Sequence, residues 1–231
     1  MKPVFVLVHS PLVGPATWLP VAEKLVSAGY QARVPSLLGV CDGEPPCWPR
    51  ISGAVRDALG PVSPDSPVVL VAHSNAGLFL PAIREQLDHR VTGSIFVDAV
   101  LPALSGSTPV ASPQLLDFLR PRAVNSLLPR WTDWWDPADV ASLFPDAATM
   151  RTVVAEQPRL PLAYFEQEVP ASEGWDDHPC SYLLFSPPYD EFAVEARKRR
   201  WRVAHLPGGH LHQIVDPEGT VRQLLELAVA P

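Results

Sequence analysis

Ser74 stands in the run Ala72-His73-Ser74-Asn75-Ala76-Gly77, directly after the apolar stretch Val68-Val-Leu-Val-Ala72 and at the head of a helical pattern. A serine hydroxyl is a weak nucleophile at neutral pH. It becomes a competent one at the apex of a tight strand-to-helix turn, beside a histidine base that a carboxylate orients. Such a turn forces unusual backbone angles on the serine and requires small residues two positions to either side. Both of those residues are alanine here. The competing reading of Ser74 is a hydroxyl that caps the helix behind it.

Seven histidines compete for the role of base. His210 follows Pro207-Gly208-Gly209 after the last predicted strand, in a loop able to swing an imidazole over the sheet edge, and His212 is its nearest rival. His9 and His73 border strand ends and read as partners of loop backbone, while His89 and His205 read as surface or core-edge residues. A metal site built on His210 and His212 has no third ligand. The chain order serine, acid, histidine puts the orienting carboxylate after the strand that precedes the histidine. Asp190, in Pro188-Tyr189-Asp190-Glu191-Phe192, fits that place and ranks first. Asp98, closing the strand that follows the nucleophile helix, ranks second and Glu191 third. Asp190 and Glu191 also read as first-turn acids that stabilise a helix N-terminus.

These residues need a scaffold, and short apolar runs bounded by turn residues supply one. Val4–Val8, Gln31–Val34, Val68–Ala72, Gly93–Asp98, Ser181–Phe185 and Arg202–Leu206 read as strands, with helical stretches between them at about 16–28, up to Leu59, 75–87, up to Arg200 and 217–228. That alternation predicts an α/β fold, a doubly wound and mostly parallel sheet covered on both faces. The stretch 101–178 breaks the rhythm with many prolines, four tryptophans and short amphipathic helical segments. It predicts a helical cap inserted between the fourth and fifth strands, with 1–100 and 179–231 forming the core of a single compact domain. Trp131, Trp134 and Trp135 would line an apolar substrate pocket beneath it, or else pack the cap onto the core.

Composition narrows the chemistry. In 231 residues, 47% are apolar, enough for a full core, and the 28 prolines and 13 glycines stay below the share that marks low-complexity chains. Eighteen Lys and Arg against 25 Asp and Glu give a net charge of -7, which repels polyphosphate and anionic lipid surfaces alike. Nucleic-acid and membrane partners are therefore not expected. Cys41, Cys47 and Cys180 are odd in number and lack C-x-x-C spacing, so buried free thiols are expected, with a Cys41–Cys47 bridge as the alternative. The N-terminal apolar run of five residues is too short for a signal peptide or a span, so a cytoplasmic protein is expected. Only three of the 18 cations are lysine, as in a GC-rich bacterial genome.

Over nearly its whole length the chain resembles an α/β-hydrolase. The likeness rests on the His9-Ser10 loop with Trp18, the Ser74 turn, the Asp98-Ala-Val-Leu-Pro102 strand exit, Asp190, and Gly208-Gly209-His210 with Pro217 downstream. It is similar above all to the branch that holds plant hydroxynitrile lyases and small methyl esterases. The resemblance implies a Ser74–His210–Asp190 triad with no cofactor and no metal, and an oxyanion hole from the Asn75 NH and the first loop. Two positions depart from that branch. Leu211 stands where the lyases carry a lysine that supports cyanide chemistry, which disfavours cyanohydrin cleavage. Pro11 stands where the family supplies a backbone NH to the oxyanion hole, and proline has none; the Ser10 hydroxyl or the Leu12 NH must then serve. The expected function is a serine esterase or thioesterase for a small, apolar acyl substrate, as a monomer or homodimer. Its rivals are a lyase, cyclase or carbon-carbon hydrolase on the same fold, and a non-catalytic small-molecule binder.

Overall fold

In the computed structural model, which describes residues 1–228, a six-stranded parallel sheet organises the chain. Residues 229–231, the tail of the predicted core, lie outside the described residues. Strand β1 (Val4–Val8) leads through helix α1 (Leu19–Ser27) to β2 (Gln31–Arg33), and α2 (Trp48–Leu59) leads to β3 (Val68–His73). After β3 comes a 3-10 turn, Ser74–Phe79, then α3 (Leu80–Glu85) and β4 (Val91–Val97). The sheet order is β2-β1-β3-β4, continued by two later strands. The chain thus winds one way from β1 to β2 and the other way from β3 onward. The carboxyl ends of β1 and β3 meet at the point of reversal, where open α/β sheets bind their ligands.

Residues 101–178 run between β4 and the fifth strand of the sheet. They carry β5 (Gly106–Pro109), α4 (Pro113–Leu119), α5 (Pro137–Ala141), α6 (Ala147–Glu156), α7 (Leu162–Phe165) and β6 (Glu168–Ala171). The expectation of helices alone is corrected here, because β5 and β6 pair antiparallel from Gly106↔Ala171 to Pro109↔Glu168. Their sequences, Gly-Ser-Thr-Pro and Glu-Val-Pro-Ala, lack the β-branched runs that signal a strand, and the ladder exists only through a partner about 60 residues away. Side chains of Ser112, Asp136 and Asp146 cap the first turns of α4, α5 and α6.

The sheet resumes with β7 (Cys180–Leu184), α8 (Asp190–Lys198), β8 (Arg202–His205), α9 (His212–Val215) and α10 (Pro217–Ala228). Alternate residues of β1 and β3 feed opposite cores, as the period of a strand requires. Val4, Val6, Val8, Leu70 and Ala72 pack with α2, α3 and α8, whereas Phe5, Leu7, Val69 and Val71 pack with α1 and α10. A third cluster joins Val140 and Phe144 to Ala16, Leu211 and Ile214, tying the insertion to the first loop and α9. The three cysteines are free and buried, with the Cys41 and Cys47 sulfurs 2.9 Å apart.

Candidate active site

Ser74 takes φ +60° at the end of β3, a left-handed conformation that only close packing holds in a non-glycine residue. Ala72 and Ala76 are fully buried, and Gly77 leaves room for the turn: a Cβ there would lie 2.2 Å from the Val100 carbonyl oxygen. The Val100 N–H donates to the Ser74 carbonyl at 3.2 Å, fastening the turn to the exit of β4. The backbone therefore presents the Ser74 hydroxyl at the carboxyl end of a central strand, where it meets the Tyr189 and His210 side chains rather than capping the helix behind it.

The hydroxyl meets His210. Ser74 Oγ lies 3.0 Å from His210 Nε2, and His210 Nδ1 donates to Asp98 Oδ2 at 2.9 Å. This bond fixes the tautomer, leaving Nε2 as the acceptor for the serine proton. Asp98 is fully buried, also with positive φ, and accepts from the Phe185 and Ser186 N–H groups and from the Ser186 hydroxyl at 2.8, 3.0 and 2.6 Å. Burial opposes its ionisation, yet the bonds from His210 and Ser186 outweigh that and hold the carboxyl below the usual aspartate range.

The carboxylate on His210 is thus Asp98 and not Asp190, a correction to the sequence ranking. The loop after β7 is Ser186-Pro187-Pro188-Tyr189, and its 3-10 turn brings Tyr189 to the histidine. Asp190 is the exposed first residue of α8, and Glu191 is exposed at the rim of the cavity. Tyr189 carried no sequence signal as a site residue. Its hydroxyl lies 3.4 Å from Ser74 Oγ and 3.3 Å from His210 Nε2, with its ring parallel to the imidazole at 4.6 Å and 3°. His212 begins α9 with its ring against Phe185 and Gly208.

Two further histidines brace the site as neutral rings. His73 Nε2 donates to the His210 carbonyl at 2.8 Å, and burial together with the neighbouring His210 lowers its pKa to about 3. His9 Nδ1 donates to the Ser10 carbonyl at 2.8 Å while its Nε2 accepts from the Leu37 N–H at 3.0 Å; burial lowers its pKa to about 4. The first loop is drawn into a tight turn in which Leu12 N–H donates to Ser10 Oγ at 3.3 Å. The Leu12 donor is therefore engaged, and the Ser10 hydroxyl keeps its own hydrogen to give. Ser10, Leu12, Ser74 and His210 border a void of about 10 Å³, close to the space of one water. Asn75 is held by its side chain, which accepts from the Tyr164 hydroxyl and donates to the Val110 carbonyl.

In front of Ser74 opens a cavity of about 1030 Å³, lined by Leu78, Val110, Leu115, Val140 and Phe165 among others. Trp131, Trp134 and Trp135 line it as well, and Trp131 comes within 6.1 Å of the His210 ring. Trp134 is also packed on Phe165, and the half-exposed Trp135 on Phe118, so these side chains both line the space and build the insertion. Its acidic lining residues are Asp139 and Glu191. No group of three or more His, Cys, Asp or Glu side chains among the described residues gathers to hold a metal ion.

Residues 5–223 match the model of the alpha/beta hydrolase family. The chain belongs to this family. No curated protein sequence matches it. Among solved structures it is similar to an extracellular alpha/beta-hydrolase from a Paenibacillus species, described as homologous in structure and function to tobacco salicylic acid binding protein 2. The TM-score is 0.76 at 17% identity, over 98% of this chain and 99% of that one. Polyneuridine aldehyde esterase gives 0.75 at 14% over 99% and 100%, and a pyrethroid hydrolase from Sphingobium faniae gives 0.71 at 20% over 100% and 99%. At such identities the likeness is one of fold. In this alpha/beta hydrolase no helix among the described residues is long and apolar enough to cross a membrane.

Proposed function

We propose that this alpha/beta hydrolase is a serine esterase or thioesterase for apolar, uncharged acyl substrates, with Ser74 as nucleophile, His210 as base and Asp98 as the acid that orients it. What carries the reading is the hydrogen-bonded line from Ser74 to His210 to Asp98 at the floor of the large apolar cavity. His210 takes the Ser74 proton as Oγ attacks the carbonyl carbon, the imidazolium is stabilised by Asp98, and the proton passes to the departing group; water then repeats the sequence on the acyl-enzyme. The Asn75 N–H and the Ser10 hydroxyl are the oxyanion donors in this scheme. The cavity exceeds the needs of a small acyl group, and its lining holds no lysine or arginine to bind an anionic carrier. Bulkier neutral esters suit it better than the small substrates expected at first. A fluorophosphonate probe tests the assignment: stoichiometric labelling of the wild type and none of Ser74→Ala is expected. A folded wild-type protein that stays unlabelled would sink it.

One observation favours the second reading, a lyase or cyclase in which Ser74 only hydrogen-bonds. Pro11 has no N–H to give, and the Leu12 N–H is already bonded to Ser10. On the hydrolase reading Ser10→Ala lowers kcat about 10²-fold with little change in KM, since the bond matters once negative charge develops. A silent Ser10→Ala, together with a tenfold gain in Pro11→Gly, would favour the second reading.

A further inference from the structure

Tyr189 stands in the reaction path of the proposed hydrolase without a place in its triad. Its hydroxyl closes a triangle with the two atoms that exchange the proton, 3.4 Å from Ser74 Oγ and 3.3 Å from His210 Nε2, themselves 3.0 Å apart. Both of its contacts are long, so the hydroxyl is loosely engaged and free to shorten onto an atom that enters between them.

Its side of the site is defined by the two spaces around Ser74. Tyr189 lines the large cavity and not the small void beside the first loop; Ser10 lines the void and not the cavity. The two hydroxyls therefore bracket Ser74. With Ser10 on the oxyanion side, Tyr189 faces the side from which the His210 proton is delivered.

The ring is fixed there by more than one contact. It lies parallel to His210 at 4.6 Å and packs on Phe192 at 5.9 Å, and the Tyr189 N–H donates to the Ser186 carbonyl at 3.0 Å. Ser186 is in turn bonded to Asp98, so one short turn holds both the triad acid and the phenol. Burial, with a further push from the Asp98 charge, raises the phenol above its ordinary range and keeps it a donor.

Resting on the hydrolase reading, we infer that Tyr189 is a catalytic residue whose hydroxyl donates a hydrogen bond to the leaving-group oxygen. Ser74 Oγ bonds to the carbonyl carbon and gives its proton to His210 Nε2. When the tetrahedral intermediate collapses, the carbon–oxygen bond to the alcohol breaks with its electron pair on the alcohol oxygen, and His210 returns the proton to that oxygen. Tyr189 keeps its own proton throughout. Its bond strengthens as charge gathers on the departing oxygen, which makes it a transition-state contact. The benefit is large for a localised alkoxide and small for a delocalised nitrophenolate, so Tyr189 adapts the site to alkyl esters.

The test compares a p-nitrophenyl ester and an ethyl ester of one apolar acid in wild type and Tyr189→Phe, with kcat/KM reporting the steps through acylation. The expected loss is about 10²-fold on the ethyl ester and less than threefold on the nitrophenyl ester. An equal loss on both, or none on the ethyl ester, overturns the role. In the wild type, a series of phenyl and alkyl leaving groups should show a shallow dependence on leaving-group acidity; a steep one overturns the role without recourse to the variant. Failure of the hydrolase reading looks different, since the wild type would then turn over neither ester and resist Ser74 labelling, and the inference would fall with it.

Discussion

Two carboxylates fit the place beside His210 by chain order, and environment separates them. Asp98 is dry, takes three hydrogen bonds besides the one from His210, and is held ionised by them. Asp190 is exposed on the first turn of α8, where a carboxylate complements the helix dipole. Asp98→Asn should therefore lower kcat by about 10⁴-fold, through loss of the productive tautomer, as in the serine protease case of that substitution. Asp190→Asn should stay within threefold of wild type. Steady-state rates on one ester decide between them, and the reverse order would return the acid to Asp190. Chain order alone could not have made this distinction. Ser74 and His210 are legible from sequence because each carries local context, a buried strand before one and two glycines before the other. Asp98 and Tyr189 reach the site through the register of β4 against β7 and the path of a proline turn, which are tertiary facts.

At the scale of elements, the turn from β3 into α3 is the most demanding piece of backbone. Gly77 sits against the β4 exit so closely that any side chain must displace the Val100 carbonyl. Gly77→Ala should cost about 1–3 kcal/mol in urea unfolding, the range for overpacking in a rigid core. Because the Val100 N–H holds the Ser74 carbonyl, the folded fraction should also lose activity. Unchanged stability with unchanged rates would mean that the turn is softer than its contacts imply. The six core strands are readable in the sequence because each is an apolar run buried on both faces or a short edge beside one. The two strands of the insertion are four residues long and proline-bearing; β5 is polar and largely exposed, β6 buries only Val169 and Ala171, and nothing local separates them from loop.

For the molecule as a whole, the buried histidines set a lower limit of working pH. His9 and His73 are neutral in the fold with pKa values lowered to about 4 and about 3, whereas in the unfolded chain each titrates near 6.5. Between those limits the unfolded state binds more protons than the folded one. Stability is therefore fully present above pH 6.5 and falls as the pH drops toward 4, by about 1.4 kcal/mol per pH unit for each ring. Urea unfolding across pH 4 to 8 should show a plateau and then this slope. His9→Asn, which keeps one donor and one acceptor, should lessen it, and a flat profile below 6.5 would refute the account.

The anchoring of the insertion has a bearing on how such a molecule can change over generations. Glu156 accepts from the Ala16 N–H at 2.8 Å, and Val140 and Phe144 pack with Leu211, the residue next to His210. Through Leu211 this seam adjoins the backbone of His210, so mutations there are expected to be filtered by their effect on the chemistry. Leu115 and Trp135 border the same cavity with no such tie to the histidine. Drift in substrate scope has a free side and a locked side, and lineages that diverge in what they cleave should differ first around α4 and Trp135 while Glu156 and Gly14 stay paired. A side chain at Gly14 would collide with Glu156, so Gly14 cannot change while Glu156 keeps its place.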